Sequence, residues 1–188
     1  GKSATVTGGT YGWSIDEDTE LVNLQNSILN GEVVTREPAY YAGGTAAAHS
    51  GQDWGNTYAE VDMSAQHMWY VQNGQVVLET DVVTGEPIPS KITPEGVYSL
   101  MWKQPNSVLV GDINPDTGEP AYRTKVKYWM QVTSSGVGFH DATWQTAFGG
   151  TLYQIPGTGS HGCINMPLDQ AGALFNMIEP GTPVIFHW

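Results

Sequence analysis

The chain has little positive charge and no long hydrophobic run. Only seven of its 188 residues are Lys or Arg, against 19 Asp or Glu, so the net charge is −12. A nucleic-acid-binding surface needs clustered basic side chains that displace counterions from phosphates, and the seven here are scattered. This class of function is therefore set aside. No apolar run is long enough to cross a bilayer, and no signal peptide is recognisable.

Cysteine is nearly absent as well, since Cys163 is the only one in the chain. A single cysteine cannot form an internal disulfide, so it is either a free thiol or part of an intermolecular bond. Most free cysteines are small buried hydrophobic residues without chemistry of their own. The residues around Cys163 must decide between an inert and a reactive thiol.

Glycine and aromatic residues are plentiful, which predicts a mostly β fold. The chain has 23 Gly, seven Trp and nine Tyr, and charged residues make up only 14% of it. Such a composition favours strands with long connections over a helical bundle. Hydrophobic periodicity predicts helices over 16–30 and 167–178, and Asn73-Gly74 is typical of a hairpin turn. Strands are predicted within residues 11–15, 57–63, 66–72, 75–83, 97–102, 107–111, 125–133 and 183–188.

The composition changes near residue 54, which predicts two parts. Residues 39–56 are rich in Ala, Gly and Ser and are interpreted as a linker or an extended arm. We therefore expect residues 1–53 to be a small α/β remnant, the C-terminal part of an accessory or linker domain. Residues 54–188 are expected to form the main domain. The chain is interpreted as a fragment whose localisation signals lie upstream.

The chemically informative run is Ser-His-Gly-Cys-Ile-Asn at positions 160–165, with His140 upstream. A free thiol has a pKa of about 8.5, so a nearby imidazole is needed to take its proton at neutral pH. A glycine next to the cysteine lets backbone N–H groups approach a developing oxyanion. His161 would share a face with Cys163 in an extended segment, whereas the fold could bring His140 close. These residues alone leave the identity of the base open.

The run at 160–165, together with His140, resembles the signature of the L,D-transpeptidases, the YkuD-type catalytic domain. The resemblance covers residues 54–188 and includes the opening strand at 58–62. It implies a YkuD-type β-sandwich with one or two helices. The interval from His140 to Cys163 is slightly longer than in the family, which indicates a longer loop between them.

The resemblance also implies a reaction on peptidoglycan. The Cys163 thiolate would attack the carbonyl between the third residue of a tetrapeptide stem and its terminal D-Ala, which leaves. An amine of a neighbouring stem would then take the acyl group, giving a 3→3 cross-link in the cell wall. His140 is the implied base that moves the protons. The backbone N–H groups of Gly162 and Cys163, with His161, are the implied oxyanion hole.

Other site residues follow from the same resemblance. The main-chain carbonyl of Asp141, rather than its carboxylate, is expected to orient the imidazole, because adjacent side chains of a strand point to opposite faces. Trp144 and Tyr122 are expected to line the substrate channel. Ser160 is expected at the channel edge or as a cap for local backbone groups. Asn165 is expected to hold the turn in place.

Alternatives of other classes remain. His140, His161 and Cys163 could ligate zinc, although the usual ligand pairs are missing. Hydrolysis by water would make the protein an L,D-carboxypeptidase, and loss of activity would make it a wall-binding module. The main reading needs no metal and no cofactor. It implies stem peptides as partners, acylation by carbapenems and other β-lactams, and a location at the extracellular face of a bacterial membrane or in the cell wall.

Overall fold

The computed structural model describes residues 4–42 and 54–188. The N-terminal part contains one helix, with a strand before it and a strand after it that pair as a two-stranded ribbon. Its elements are β1 (Trp13–Ile15), α1 (Glu17–Asn30) and β2 (Tyr40–Ala42). The larger part contains β3 (Tyr58–Asp62), β4 (His67–Gln72), β5 (Gln75–Asp81), β6 (Gly96–Ser99), β7 (Trp102–Val110), β8 (Arg123–Gln131), β9 (Gly138–Asp141), a short 3₁₀ helix (Leu152–Gln154), β10 (Ile164–Met166), α2 (Leu168–Met177) and β11 (Pro183–His187).

Two sheets enclose the core of the larger part. One has five strands in the order β5-β4-β3-β11-β6, and the other has four in the order β10-β9-β8-β7. Phe139 of the smaller sheet meets Phe186 of the larger one, with ring centroids 6.0 Å apart. Both rings are fully buried, and each such burial stabilises the fold by about 1.5–3 kcal/mol. The predicted mostly β sandwich is confirmed.

Local sequence explains two of the predicted elements. Asn73 and Gly74 both have positive φ, at 52° and 78°, as the two central residues of a type I′ hairpin turn require. Helix α2 lies within the predicted range 167–178 and buries Ala171 and Leu174 on its inner face. The helix covers the core on one side, and its inner side chains belong to the same hydrophobic cluster as Phe139.

Helix α1 forms where it was predicted, but its apolar face is not buried. Asp16 caps it by accepting a hydrogen bond from the Thr19 N–H at 3.0 Å, and Gly31 ends it in the left-handed conformation. Leu24 and Ile28, which lie on its apolar face, are exposed over 53% and 70% of their surface. None of the elements within residues 4–42 and 54–188 covers this face.

The expected linker at 39–56 also needs correction. Tyr40–Ala42 forms strand β2 and pairs antiparallel with β1, while residues 43–53 lie outside the described residues. Strands β9 and β10 were not predicted, and β7 begins five residues earlier than its predicted range. None of the described helices is both long and apolar enough to span a membrane.

The segment at residues 6–11 lies along β6, the edge strand of the larger sheet. Val97 donates its N–H to the Gly8 carbonyl at 3.1 Å and accepts from the Tyr11 N–H at 2.9 Å. The approach is close: a Cβ on Gly9 would lie 1.9 Å from the Val97 carbonyl oxygen. Val6 packs on Val97 in a small apolar cluster. The division of the chain at residue 54 stays a prediction.

Candidate active site

Strands β9 and β10 bring the two parts of the sequence motif together. They pair in parallel, and His140 lies directly opposite Asn165. On its other side, β10 is held by Val83, which exchanges two backbone hydrogen bonds with Asn165 at 2.9 and 3.0 Å. Paired residues of neighbouring strands share a face, so the Asn165 and His140 side chains emerge side by side. The residues between β9 and β10 form the long loop that the sequence indicated.

One cavity of about 480 Å³ collects most of the predicted site residues. Its wall is formed by the hairpin loop between β7 and β8, by the loop from 144 to 160, and by the motif itself. Of the predicted residues, it contains His140, His161, Cys163, Ser160, Asn165, Tyr122 and Trp144. Gly162 and Asp141 are buried behind this wall and contribute main-chain groups.

The Cys163 thiol sits against the turn that precedes β9. Its Sγ lies 3.5 Å from the Gly136 carbonyl oxygen, to which the thiol donates. Removal from water raises the pKa of the Cys163 thiol to about 11, and the Gly138 N–H, which bonds to the sulfur, opposes this shift. The half-buried thiol is therefore neutral at physiological pH in the free protein. It becomes a nucleophile only when a base accepts its proton.

The imidazole of His140 is held in one orientation by a main-chain carbonyl. Its Nδ1 lies 3.0 Å from the Asp141 carbonyl oxygen. A carbonyl can only accept, so Nδ1 carries the proton and Nε2 has a free lone pair. Burial lowers the pKa of His140, and the hydrogen bond to Asp141 opposes this in part. The imidazole lies between the rings of Trp129 and Trp144, whose centroids are 6.0 and 5.9 Å away.

The carbonyl and the carboxylate of Asp141 accept hydrogen bonds from different partners. Its carbonyl orients His140, as the sequence analysis expected, whereas its carboxylate points to the neighbouring strand. There Oδ1 accepts the backbone N–H groups of Lys127 and Tyr128 at 2.8 and 2.9 Å. The side chain is 2% exposed. The carboxylate thus fixes β8 against β9 and does not touch the imidazole.

The side chain of Ser160 forms two hydrogen bonds within the motif. Its hydroxyl donates to the Cys163 carbonyl at 2.6 Å and accepts the Gly162 N–H at 3.0 Å. Gly162 has a φ of +117°, a conformation that favours glycine. Of the two N–H groups expected in an oxyanion hole, that of Gly162 is thus engaged by Ser160. The N–H of Cys163 has no acceptor among residues 4–42 and 54–188.

The family of this fold follows from comparison with known proteins. The sequence model described as YkuD, L,D-transpeptidase catalytic domain, matches residues 56–186. This chain belongs to the L,D-transpeptidase catalytic domain family. The resemblance seen in the motif is thereby confirmed.

Solved and curated relatives agree with this assignment. The crystal structure of a cysteine-to-serine mutant of Enterococcus faecium L,D-transpeptidase is 42% identical, with a TM-score of 0.79, and the match covers 96% of this chain and 68% of that one. The catalytic domain of the Enterococcus faecium enzyme, acylated by ertapenem, is 46% identical, with a TM-score of 0.59, over 70% of this chain and 96% of that one. L,D-transpeptidase 1 of Mycobacterium tuberculosis is 30% identical over 126 residues, which is 65% of this chain. The chain spans 35% to 47% of the curated relatives that it matches.

In this L,D-transpeptidase domain, His161 and Tyr122 stand opposite the long loop. His161 is exposed, and its ring lies 5.1 Å from that of Tyr122. Burial raises the pKa of Tyr122, and the negative charge of a Cys163 thiolate raises it further. Tyr122 and Trp144 therefore form two walls of the cavity, and their contact with a substrate stays a prediction.

Asn165 ties the motif to the long loop of the L,D-transpeptidase domain. Its Nδ2 donates to Gln145 Oε1, and Gln145 Nε2 donates to the Thr158 carbonyl at 3.4 Å. Asn165 Oδ1 is buried and has no hydrogen-bond partner among residues 4–42 and 54–188. The expectation that Asn165 holds local structure agrees with this arrangement, although it joins β10 to the loop rather than closing the motif turn.

Glu86 was missed by the sequence analysis. Its side chain is buried, and Oε1 accepts both Lys91 Nζ and the Gly157 N–H at 2.9 Å. The hydrogen bond from Lys91 lowers the pKa of Glu86. A second anchor thus holds the end of the long loop, opposite the one at Gln145. No sequence signal pointed to it, because a Glu-Pro pair in a turn is ordinarily solvent-exposed.

The alternative zinc site can be compared with the structure directly. No group of three or more His, Cys, Asp or Glu side chains close enough to hold a metal ion occurs within residues 4–42 and 54–188. His161 faces Tyr122, and the Nδ1 of His140 is engaged by Asp141. The chemistry of the described site is therefore that of a thiol, an imidazole and backbone N–H groups.

Proposed function

We propose that this chain is the catalytic part of a peptidoglycan L,D-transpeptidase that acts through a thioester on Cys163. The observation that carries the proposal is the shared cavity. A single thiol, an imidazole with a free Nε2 and an unengaged backbone N–H all meet there. This set is what acyl transfer to a cysteine requires.

The proposed reaction starts from neutral partners, because the pKa of Cys163 is raised and that of His140 is lowered. As Sγ attacks the carbonyl carbon of the stem peptide, its proton moves to Nε2 of His140. The resulting imidazolium is stabilised by the Asp141 carbonyl and by the two flanking indole rings. The C–N bond to D-Ala then breaks, and His140 gives its proton to the leaving amine.

The second half of the reaction reverses these roles. The amine of a neighbouring stem attacks the thioester, His140 accepts one of its protons, and Sγ leaves as the amide forms. Tyr122 and Trp144 line the cavity into which this second substrate would enter. Peptidoglycan lies outside the cytoplasmic membrane, so we place the protein at the extracellular face of that membrane or in the cell wall.

The proposal includes acylation by carbapenems. The related Enterococcus faecium domain has been described in its ertapenem-acylated form. The same attack on a β-lactam carbonyl would form a thioester here, with the ring C–N bond as the one that breaks. Ertapenem should therefore add its mass to the native protein and leave Cys163→Ser unmodified.

A disaccharide-tetrapeptide tests the reaction itself. Incubation followed by mass spectrometry should give a cross-linked dimer and free D-Ala. Tripeptide alone would show that water is the acceptor, as in an L,D-carboxypeptidase. Absence of both the products and the ertapenem adduct would refute the proposal. His140→Ala should slow acylation by about 10²–10⁴-fold, since a positioned general base contributes about that factor.

A further inference from the structure

Thr93 is a buried polar residue that the sequence analysis left without a role. Its side chain is 2% exposed. Its Oγ1 accepts the Gly85 N–H at 3.0 Å and donates to the Gly162 carbonyl at 2.8 Å. The hydroxyl therefore joins the loop that precedes β6 to the residue immediately before the nucleophile, 69 positions away in the sequence.

The acceptor of this hydrogen bond belongs to a special peptide unit. The Gly162 carbonyl and the Cys163 N–H are the two ends of one planar trans peptide, so they point in opposite directions. A bond that fixes the carbonyl also fixes the direction of the N–H. Thr93 holds the carbonyl on the buried side, and the N–H is directed away from it, with Cys163 lining the cavity.

The neighbouring peptide groups are held by other means. Ser160 engages the Gly162 N–H and the Cys163 carbonyl, so these two cannot turn freely. The carbonyl of the peptide between Gly162 and Cys163 is held instead by Thr93, a residue outside the motif. Gly162 lacks a side chain that could restrain it, and its φ of +117° lies in a region that glycine leaves easily.

We propose that Thr93 is a positioning residue that aims the Cys163 N–H at the oxyanion formed during acylation. This inference rests on the proposed thioester chemistry. The donor must lie close to where the oxyanion forms, and the loss of one such donor costs about 10²–10³-fold in rate in other enzymes. Loosening the donor without removing it should cost less, about 10–100-fold.

The test compares two reactions of the same sulfur. In acylation by ertapenem, Sγ bonds to the carbonyl carbon, the ring C–N bond breaks, and an oxyanion forms on the way. In alkylation by iodoacetamide, Sγ bonds to a methylene carbon and iodide leaves, so no oxyanion forms. Both need the thiolate, but only the first needs the N–H.

Three variants complete the design. Thr93→Val keeps the shape and removes the hydroxyl, whereas Thr93→Ser keeps the hydroxyl. Thr84→Val is the matched control, because Thr84 is equally buried but its hydroxyl accepts from Gln66 Nε2 at 2.7 Å and does not reach the motif. If Thr93→Val fails to fold, Thr93→Ala replaces it, since the smaller side chain removes the same hydrogen bonds without adding a methyl group.

We expect Thr93→Val to lower the rate of acylation about 10–100-fold and to leave the rate of alkylation within about twofold. Thr93→Ser and Thr84→Val should keep both rates near the wild-type values. If both rates fall equally in Thr93→Val, or if neither falls, the inference about Thr93 is overturned. The proposed function would still stand in that case, provided that ertapenem acylates the wild-type protein. A wild-type protein that ertapenem does not acylate would overturn both.

Discussion

Replacement of Asp141 tests whether its carbonyl and its carboxylate have separate tasks. The carboxylate oxygen Oδ1 accepts two backbone N–H groups, from Lys127 and Tyr128, in part-buried hydrogen bonds. Asp141→Ala leaves both without a partner, and each unsatisfied buried donor costs about 1–3 kcal/mol. The free energy of unfolding should therefore fall by about 2–6 kcal/mol. Asp141→Asn keeps an acceptor oxygen at the same place and should cost about 1–2 kcal/mol, the difference between a charged and a neutral acceptor.

The catalytic consequence should be much smaller than the structural one. The oxygen that holds His140 belongs to the main chain and is kept in both variants. The negative charge of Asp141 raises the pKa of His140, so its loss makes the imidazole a slightly weaker base. In Asp141→Asn we expect the rate of ertapenem acylation to stay within about fivefold of the wild-type rate. This loss is small compared with the rate factor of about 10²–10⁴ that a positioned general base contributes.

Urea unfolding and intact-mass kinetics on the same preparations measure the two quantities. Acylation should be followed on the folded fraction, well below the unfolding midpoint of Asp141→Ala. A hundredfold slower acylation of Asp141→Asn at unchanged stability would refute the reasoning, because the carboxylate would then act in catalysis. Unchanged stability of Asp141→Ala would show that the two N–H groups find other partners.

Three further predictions use the same site and sheet. The rate of alkylation of Cys163 by iodoacetamide should still rise at pH 10, because the pKa of the thiol is raised to about 11; a plateau reached by pH 7.5 would contradict this. Gly162→Ala should abolish measurable acylation while the far-UV circular dichroism is kept, because the new Cβ forces a strained φ and lies 3.2 Å from Val137 Cγ2. The hydrogen bond to Glu60 raises the pKa of His187, so the stabilisation by this pair is complete below about pH 6.5 and is lost as the pH rises through the raised pKa. In urea unfolding, the difference in stability between wild type and Glu60→Gln should therefore shrink as the pH rises. A difference that stays constant with pH would count against the ion pair.

The sequence predicted those elements whose residues alternate or repeat with a clear period. Strands β3, β4 and β5, the turn at Asn73 and helix α2 all lie where they were expected. Strands β9 and β10 escaped because they have only four and three residues, and every one of them is buried. In so few residues, and with His140, Asp141 and Asn165 buried among apolar neighbours, no period of two can be recognised, so pattern alone does not identify these strands.

Helix α1 shows a different limit. Its spacing of Leu24 and Ile28 was a sound reason to predict a helix, and the helix exists. The same spacing says that a face is apolar, but it does not say whether another element covers it. The exposed face within the described residues therefore could not have been anticipated from periodicity.

The residues of the candidate site also differ in whether the sequence could reveal them. Cys163, His140 and their neighbours were found because a short motif carries them, and the orienting carbonyl of Asp141 was implied by the family resemblance, with strand geometry arguing against the carboxylate. The residues that hold the motif from outside were missed. Thr93 precedes a proline and resembles an ordinary turn residue, and its contact with Gly162, 69 positions away, exists only in the folded chain.

The segment along β6 has a consequence for anyone who shortens this protein. A version that begins at residue 54, near the start of the family match, would lack the backbone groups of Gly8 and Tyr11 that now pair with Val97. The edge of a five-stranded sheet would then present free N–H and C=O groups to solvent, an arrangement that favours pairing between molecules and aggregation. Solubility on trimming would thus be decided by a few residues on the sheet edge.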